Sequence, residues 1–427
     1  MTNASVGTPN SYYHPDYANA MWDDDKNAAT PDVPWPNVMK RYATDVRRID
    51  DCLGDLMGKL KKLGIDDNTL VVFTTDNGPA DESYLPEDYT PNFFNSFGPF
   101  DGIKRDIWEG GVRVGALARW PKQVKAGQIS QTPSGFWDWM ATFSEAAHIP
   151  APAITDGVSL MPSLSGKGVQ KESNVYIEYF HTRQTPEYDE FLPDHRGRLR
   201  WQMQLLRLGN LVGVRADIQS QSDDFEIYDI VKDPQEANNL AKTQPALQQK
   251  FKDLALQSRR PNETAKRPYD EELVPSVPNV GRFKGVLLKG YDGAFSYVPN
   301  LTAMKANLTG AALDIKGTDG KAKAWRPQTG AKMIEGYIEA PADGEYTFTL
   351  TSQGAAFLRL HRAQLIDADF GYKLGSEVSA KILLKKGKHL FRLSVADRDK
   401  TGMKTDLQWS GPTFGKQTIP ASAFSRD

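Results

Sequence analysis

Leu70-Val71-Val72-Phe73-Thr74-Thr75-Asp76-Asn77-Gly78 is an apolar run that stops abruptly on an acid, an amide and a glycine. Four consecutive apolar residues suit a strand covered on both faces, and Gly78 permits the sharp exit such a strand needs. Asp76 and Asn77 then fall at a strand's carboxyl end, where open α/β sheets gather their ligand sites. Both offer hard oxygen donors suited to Ca²⁺ or Mg²⁺. The same residues also fit a strand followed by an ordinary Asp-Asn-Gly turn.

Upstream, Val38, Tyr42, Val46, Ile49, Leu53, Leu56, Met57, Leu60 and Leu63 recur at three- and four-residue steps, which predicts one apolar face of a helix closed by Gly64. Cys52 lies beside that face and reads as a small buried hydrophobe, with no second cysteine or neighbouring histidine to make it a ligand or nucleophile. Before this helix, Trp22-Asp23-Asp24-Asp25 and Pro31, Pro34 and Pro36 break any regular period.

Downstream, residues 80 to 101 form a Pro- and Phe-rich loop long enough to suggest a functional role. Gly102 to Arg113 then lead through Gly110-Gly111 into a second apolar run, Val114-Gly115-Ala116-Leu117-Ala118, read as a strand. Residues 136 to 147 read as a helix. Residues 202 to 208 and 211 to 214 alternate as strands around Gly209-Asn210, good hairpin chemistry, with further strands at 175 to 180 and 225 to 228 and a helix at 244 to 257. Parallel-type strands thus give way to antiparallel ones. Residues 258 to 283, rich in Pro and Arg, read as a linker, and beyond it short strands divided by Gly and Pro turns predict a β-sandwich or barrel.

At 427 residues, with 39% hydrophobic and 25% charged residues, the chain has material for two or three domains. A formal net charge of -2 argues against nucleic acid or an anionic membrane surface as a partner. The single cysteine forbids an intrachain disulfide. No stretch reaches the roughly 18 apolar residues of a membrane span. Met1 to Pro9 lack the basic and apolar regions of a signal peptide.

Seven segments in order resemble the sulfatases of the alkaline phosphatase superfamily, over about residues 38 to 258. They are Asn68 to Gly78, Phe94-Asn95-Ser96 with Gly102-Ile103-Lys104-Arg105-Asp106, and Trp108-Glu109-Gly110-Gly111-Val112-Arg113. Ala118-Arg119-Trp120-Pro121, Phe136-Trp137-Asp138, Asp156-Gly157-Val158-Ser159 and Ile227 to Pro234 complete the series. The resemblance implies that Asp76 and Asn77 are half of a Ca²⁺ site and that Lys104 contacts the sulfate. A sulfate ester carries anionic oxygens, so a divalent cation and an ammonium stabilise the charge that grows during attack. Glu109 and Arg113 are expected to hold the Gly-Gly turn. From about Gly285 to Ala423 the chain is similar to PA14-type β domains, on Gly336 to Phe348, Leu384 to His389 and Leu407 to Pro412.

The family's nucleophile is a formylglycine made from Cys in a Cys-x-Pro-x-Arg pattern, which Cys52-Leu53-Gly54-Asp55-Leu56 does not fit. The expectation is a sulfatase portion, inactive alone, whose missing amino-terminal half is a candidate partner and whose family substrate is a sulfated small molecule or glycan. The resemblance also implies export to the periplasm or outside the cell. A phosphoryl-transferring relative would add Asp and His zinc ligands, for which no arrangement is present. A noncatalytic carbohydrate-binding or scaffold protein retaining a decayed sulfatase half is the alternative of a different class. His181 and His195 flank an Arg-rich loop that could line a substrate cleft. The fold class is α/β with an antiparallel carboxyl-terminal subdomain plus an all-β sandwich. The boundaries are an irregular segment at 1–36, a partial sulfatase domain at 37–165, its subdomain at 166–258, a linker at 259–283 and a PA14-like domain at 284–427.

Overall fold

A computed structural model describes residues 12–81, 87–261, 264, 266–316 and 330–427. Met1 to Pro9, and part of the 80 to 101 loop and of the 259–283 segment, lie outside the described residues.

The long helix runs Asn37–Lys62, entered through Pro36 and carrying Lys59, Lys61 and Lys62 in its last turn, where cations complement the helix dipole. Gly64 adopts φ +70°, and the Ile65 N–H reaches back to the Leu60 carbonyl at 3.2 Å, so a left-handed glycine ends the helix. Only its first turns are covered: Val38 and Met39 pack with Tyr89 and against Tyr42, Phe93 and Phe94. The preceding segment closes over the same cluster, with Trp22 and Trp35 ring centroids 4.5 and 5.5 Å from Phe93. Further along, Val46, Ile49, Leu56 and Leu63 are 46 to 57% exposed. Cys52 is exposed beside them, which corrects its reading as a buried hydrophobe.

The opening stretch folds as the strand Val71–Thr74, paired antiparallel with Ala116–Arg119 in a two-stranded sheet. Here the structure departs from the expected parallel strand covered on both faces. Phe73 and Leu117 are 40% and 69% exposed, because among the described residues no layer packs over that side. Arg119 grips Asp66 with two bonds of 2.6 and 2.9 Å and ties the strand pair to the turn after the helix.

The carboxyl-terminal subdomain is a four-stranded antiparallel sheet in the order Tyr176–Gln184, Leu199–Leu208, Leu211–Arg215 and Glu226–Asp229. Gly209, at φ +57°, makes the expected Gly-Asn turn. Leu206, Phe225 and Ile227 cluster with Phe251 and Ala255 of the helix Pro245–Ser258. Met203, Leu205, Val212 and Val214 cluster instead with Ile107 and Trp108. That second packing fixes the segment carrying Lys104 to the subdomain.

The 259–283 segment is packed rather than free where it is described. Tyr269 is fully buried and its hydroxyl donates to Glu178 at 2.8 Å, while Arg267 pairs with Glu178 as well. The β-sandwich beyond has one sheet ordered Leu308–Ala312, Val286–Tyr291, Ala331–Ala340, Gly387–Ala396, Ala355–Leu360, Ala363–Ala368. The other is ordered Glu377–Leu384, Gly344–Ser352, Thr405–Gly411, Phe414–Thr418. Tyr346, Phe348, Leu350, Leu393, Leu407 and Trp409 fill the space between them. The sandwich is joined to the α/β portion by Ala153 N–H to Val298 O at 2.8 Å and by Arg359 to Asp156 at 2.6 Å.

Candidate functional site

The site is assembled where the Val71–Thr74 strand ends. Asp76 is exposed, Asn77 half-buried and Gly78 buried. A Cβ on Gly78 would sit 1.9 Å from the Gly110 carbonyl oxygen, so only glycine fits there. The contact is held by Gly78 N–H to Gly111 O at 3.0 Å, and one residue on, Pro79 O accepts the Lys104 N–H at 2.7 Å. Two distant motifs, Asp76-Asn77-Gly78 and Lys104 through Gly111, are thereby locked together by main-chain bonds.

The donor set suits a hard cation as part of a coordination sphere. Among the described residues, the Asp76 carboxylate receives only a long 3.4 Å contact from the Thr75 hydroxyl. Asn77 spends its Nδ2 on the Gly78 carbonyl at 2.8 Å, which leaves Oδ1 as acceptor. Two oxygens fall short of the six to eight that Ca²⁺ takes. Among the described residues, no cluster of three or more His, Cys, Asp or Glu side chains could supply the rest.

Lys104 is half-buried, and its ammonium makes no ion pair among the described residues. Its turn is anchored through Asp106, which is 4% exposed. Asp106 Oδ2 accepts the Ile103 N–H at 2.8 Å, and Oδ1 accepts Thr185 Oγ1 at 2.7 Å and Arg200 Nε at 2.5 Å. Sequence reasoning did not mark Asp106 or Arg200 as anchors, since they stand 94 residues apart and no local pattern couples them.

Glu109 and Arg113 do hold the Gly-Gly turn, with Arg113 Nη1 3.2 Å from Glu109 Oε2. Burial raises the Glu109 carboxyl above its usual range despite the Arg113 charge. The Glu109 N–H donates to Glu236 Oε2 at 3.0 Å. Glu236 is buried, its other oxygen without a partner among the described residues, and burial first, then the Glu109 charge, pushes its carboxyl well up.

His195 is buried, accepts or donates at Asp101 Oδ2 at 2.8 Å, and stacks on Trp108 at 4.0 Å. It is a packing residue, buried at the edge of the loop it was expected to flank. His181 stays partly exposed toward the carboxyl end of the Tyr176–Gln184 strand.

The Gly78-locked acid-amide pair and the lysine turn thus lie side by side at one end of the strand pair. The sulfatase family matches residues 3–149, the N-sulphoglucosamine sulphohydrolase carboxyl-terminal family residues 96–260, and the PA14 family residues 284–423. The chain thus carries sulfatase-family regions over its first 260 residues or so and a PA14 domain at its carboxyl end.

It is 39% identical over 126 residues to N-acetylgalactosamine-6-sulfatase of Mus musculus, covering 29% of this chain and 23% of that one. It is 30% identical over 202 residues to N-acetylglucosamine-6-O-sulfatase of Bacteroides thetaiotaomicron, covering 47% and 32%. The matches thus span about a quarter to a third of those relatives. Among solved structures, one in complex with its substrate D-glucosamine-2-N,6-O-disulfate is 24% identical, with 51% of this chain and 39% of that chain covered and a TM-score of 0.37.

Proposed function

We propose that this chain is part of a sulfuric ester hydrolase acting on sulfated carbohydrate, and that it turns over no substrate alone. The observation that carries this reading is an apolar face left uncovered beside the site. Ile49, Leu56, Phe73 and Leu117 are each 40% exposed or more, on the long helix and on the strand pair that ends at Asp76. Apolar residues in that pattern are made to be buried, and among the described residues each strand of the pair has one edge without a partner. An amino-terminal half that covers this face would bring the remaining metal ligands and the formylglycine nucleophile to the same sheet end.

In this reading Asp76 and Asn77 hold one side of a Ca²⁺ ion, and Lys104 holds a sulfate oxygen. When bound, the cation supplies electrostatic stabilisation of the sulfate oxygens. The chain's own part is positioning: the Gly78 lock fixes Asp76 and Asn77, and the Asp106 anchor fixes the turn from which the Lys104 ammonium, unpaired among the described residues, reaches the ester. An ammonium with no protein counterion is free to meet an anion, and a half-buried setting strengthens the attraction. The relatives' names, two of them hexosamine sulfatases, favour a sugar sulfate, and periplasmic or extracellular residence follows the same line.

The test is direct. Purified chain incubated with a chromogenic aryl sulfate and Ca²⁺ should show no hydrolysis, and hydrolysis should appear when an amino-terminal sulfatase half is co-expressed. Robust turnover by the chain alone would overturn the reading.

A further inference from the structure

Beside the Lys104 turn, the connected end of the Tyr176–Gln184 and Leu199–Leu208 hairpin gathers several cationic side chains around one acid, Asp106. Asp106 bolts the two together: its carboxylate takes Arg200 and Thr185 from the hairpin end, while Lys104 and Arg105 precede it on the turn. Arg105 is held at φ +80°, a left-handed conformation that a non-glycine residue rarely adopts without a surrounding structure that imposes it.

Across from it, His181 pairs with Trp201 in the hairpin register, and the strand bulges between His181 and Gln184. The His181 Nδ1 accepts the Arg183 N–H at 3.2 Å. Among the described residues, the guanidiniums of Arg105 and Arg183 have no hydrogen bond or ion pair. Arg200 is 4% exposed, and its Nη2 is buried without a partner. His181 registers the resulting field: partial burial first, then the charges of Arg200, Arg105 and Arg183, hold it below its usual value. Exposed rings flank the cluster, with Tyr179 44%, Phe180 55% and Trp201 43% exposed, and Tyr179 lies nearly parallel to His181 at 6.3 Å.

Like charges packed this way repel one another unless an anion joins them, and planar guanidiniums bind carboxylate and sulfate-type oxygens in pairs. We propose that this hairpin end is a second anion-binding subsite, in which Arg105, Arg183 and His181 receive a carboxylate or a second sulfate on a sugar that lies against Tyr179 and Trp201. The subsite rests on the sulfate-ester reading of Lys104 for its place beside the reacting group. It makes the substrate a polyanionic glycan, in which one anion is cleaved and another is held.

The experiment follows His181 by ¹H–¹³C NMR in the full chain, its signal identified by loss in His181→Asn. Inorganic sulfate and hexuronate are the two probes. Either anion should raise the His181 pKa by about half a unit or more, since a neighbouring anion favours the charged imidazole. The anion that acts tells whether the subsite takes a sulfate or a carboxylate. Arg183→Ala and Arg105→Ala should each weaken the probe at least about 5-fold, as expected for loss of one charge-assisted contact, while the other five histidine signals report an intact fold. Lys104→Ala should leave the response in place.

No movement of His181 with either anion, at concentrations that leave the other histidines still, overturns the proposal. So does an adventitious ion only, seen as a response indifferent to Arg183→Ala. A response lost in Lys104→Ala and kept in Arg183→Ala would put the anion in the sulfate position and overturn it as well. Hydrolysis assays judge the sulfatase reading separately, because the histidine titration needs no turnover.

Discussion

The α-carbon of Gly78 lies against the carbonyl of Gly110 so closely that a methyl group in its place would come to 1.9 Å from that oxygen. Through this contact, a strand end and a Gly-Gly turn more than thirty residues later share one wall, and Asp76, Asn77 and Lys104 are set on it. Gly78→Ala should therefore destabilise the chain by about 3 kcal/mol, since backbone cannot yield as a flexible side chain would. Urea unfolding checks this, and a loss below about half a kcal/mol would show that the two segments slide freely.

Asp106 and Arg200 form a buried pair, 4% exposed each. Asp106→Asn keeps the shape but leaves the Arg200 charge uncompensated, and breaking such a pair costs about 3–5 kcal/mol. The same substitution should loosen the Lys104 turn. Equilibrium unfolding gives the first effect, and faster exchange of the Lys104 and Ile103 amides gives the second.

The sandwich carries a pH-sensitive pair. His361 Nε2 lies 2.9 Å from His389 Nδ1, and His389 Nε2 lies 2.7 Å from the Lys385 carbonyl. Burial first, then the His389 neighbour, pushes His361 down to about 3, and burial lowers His389 too. A histidine with a depressed folded pKa refuses a proton that the unfolded chain accepts below about 6.5, so stability is complete above that pH and falls as pH drops toward the folded value. The expected slope is about 1.4 kcal/mol per pH unit for each such histidine. Urea midpoints at about pH 7.5, 6.5 and 5.5 should fall in that order, and His361→Gln should flatten the series.

Cys52 stands on the uncovered face among Ile49, Leu53 and Leu56. In the isolated chain it should be alkylated as readily as a free thiol, followed by mass spectrometry. The double substitution Ile49→Asp with Leu56→Asp should change stability by less than about 0.5 kcal/mol, as surface changes do. Binding of an amino-terminal half should protect Cys52 and should be abolished by those aspartates. A Cys52 already protected in the chain alone would mean that the face is covered some other way.

The periodicity from Val38 to Leu63 was enough to place the long helix, which forms at Asn37–Lys62, and Gly209-Asn210 was enough to place the hairpin. Those signals are local, written in 3.6- and two-residue periods and in turn chemistry, so one chain read alone contains them. The sandwich was legible for the same reason. The Val71–Thr74 strand was legible as a strand, but its partner and its exposure were not. A run of apolar side chains records what a strand is suited to meet, and the residues it meets lie elsewhere in the chain.

Asp76, Asn77 and Lys104 stood out in the sequence through ordered motifs, each a chemical type suited to an anion or a cation. That the strand end and the lysine turn share main-chain bonds, that Asp106 is the bolt between turn and hairpin, and that His195 is buried while His181 is open were decided by tertiary structure. Each depends on residues far apart in the chain meeting in space, and contacts of that range leave no spacing to read. The sequence by itself determined the elements and the chemical types at the strand end. The fold decided which cations were left without partners, because pairing is a property of distance and burial.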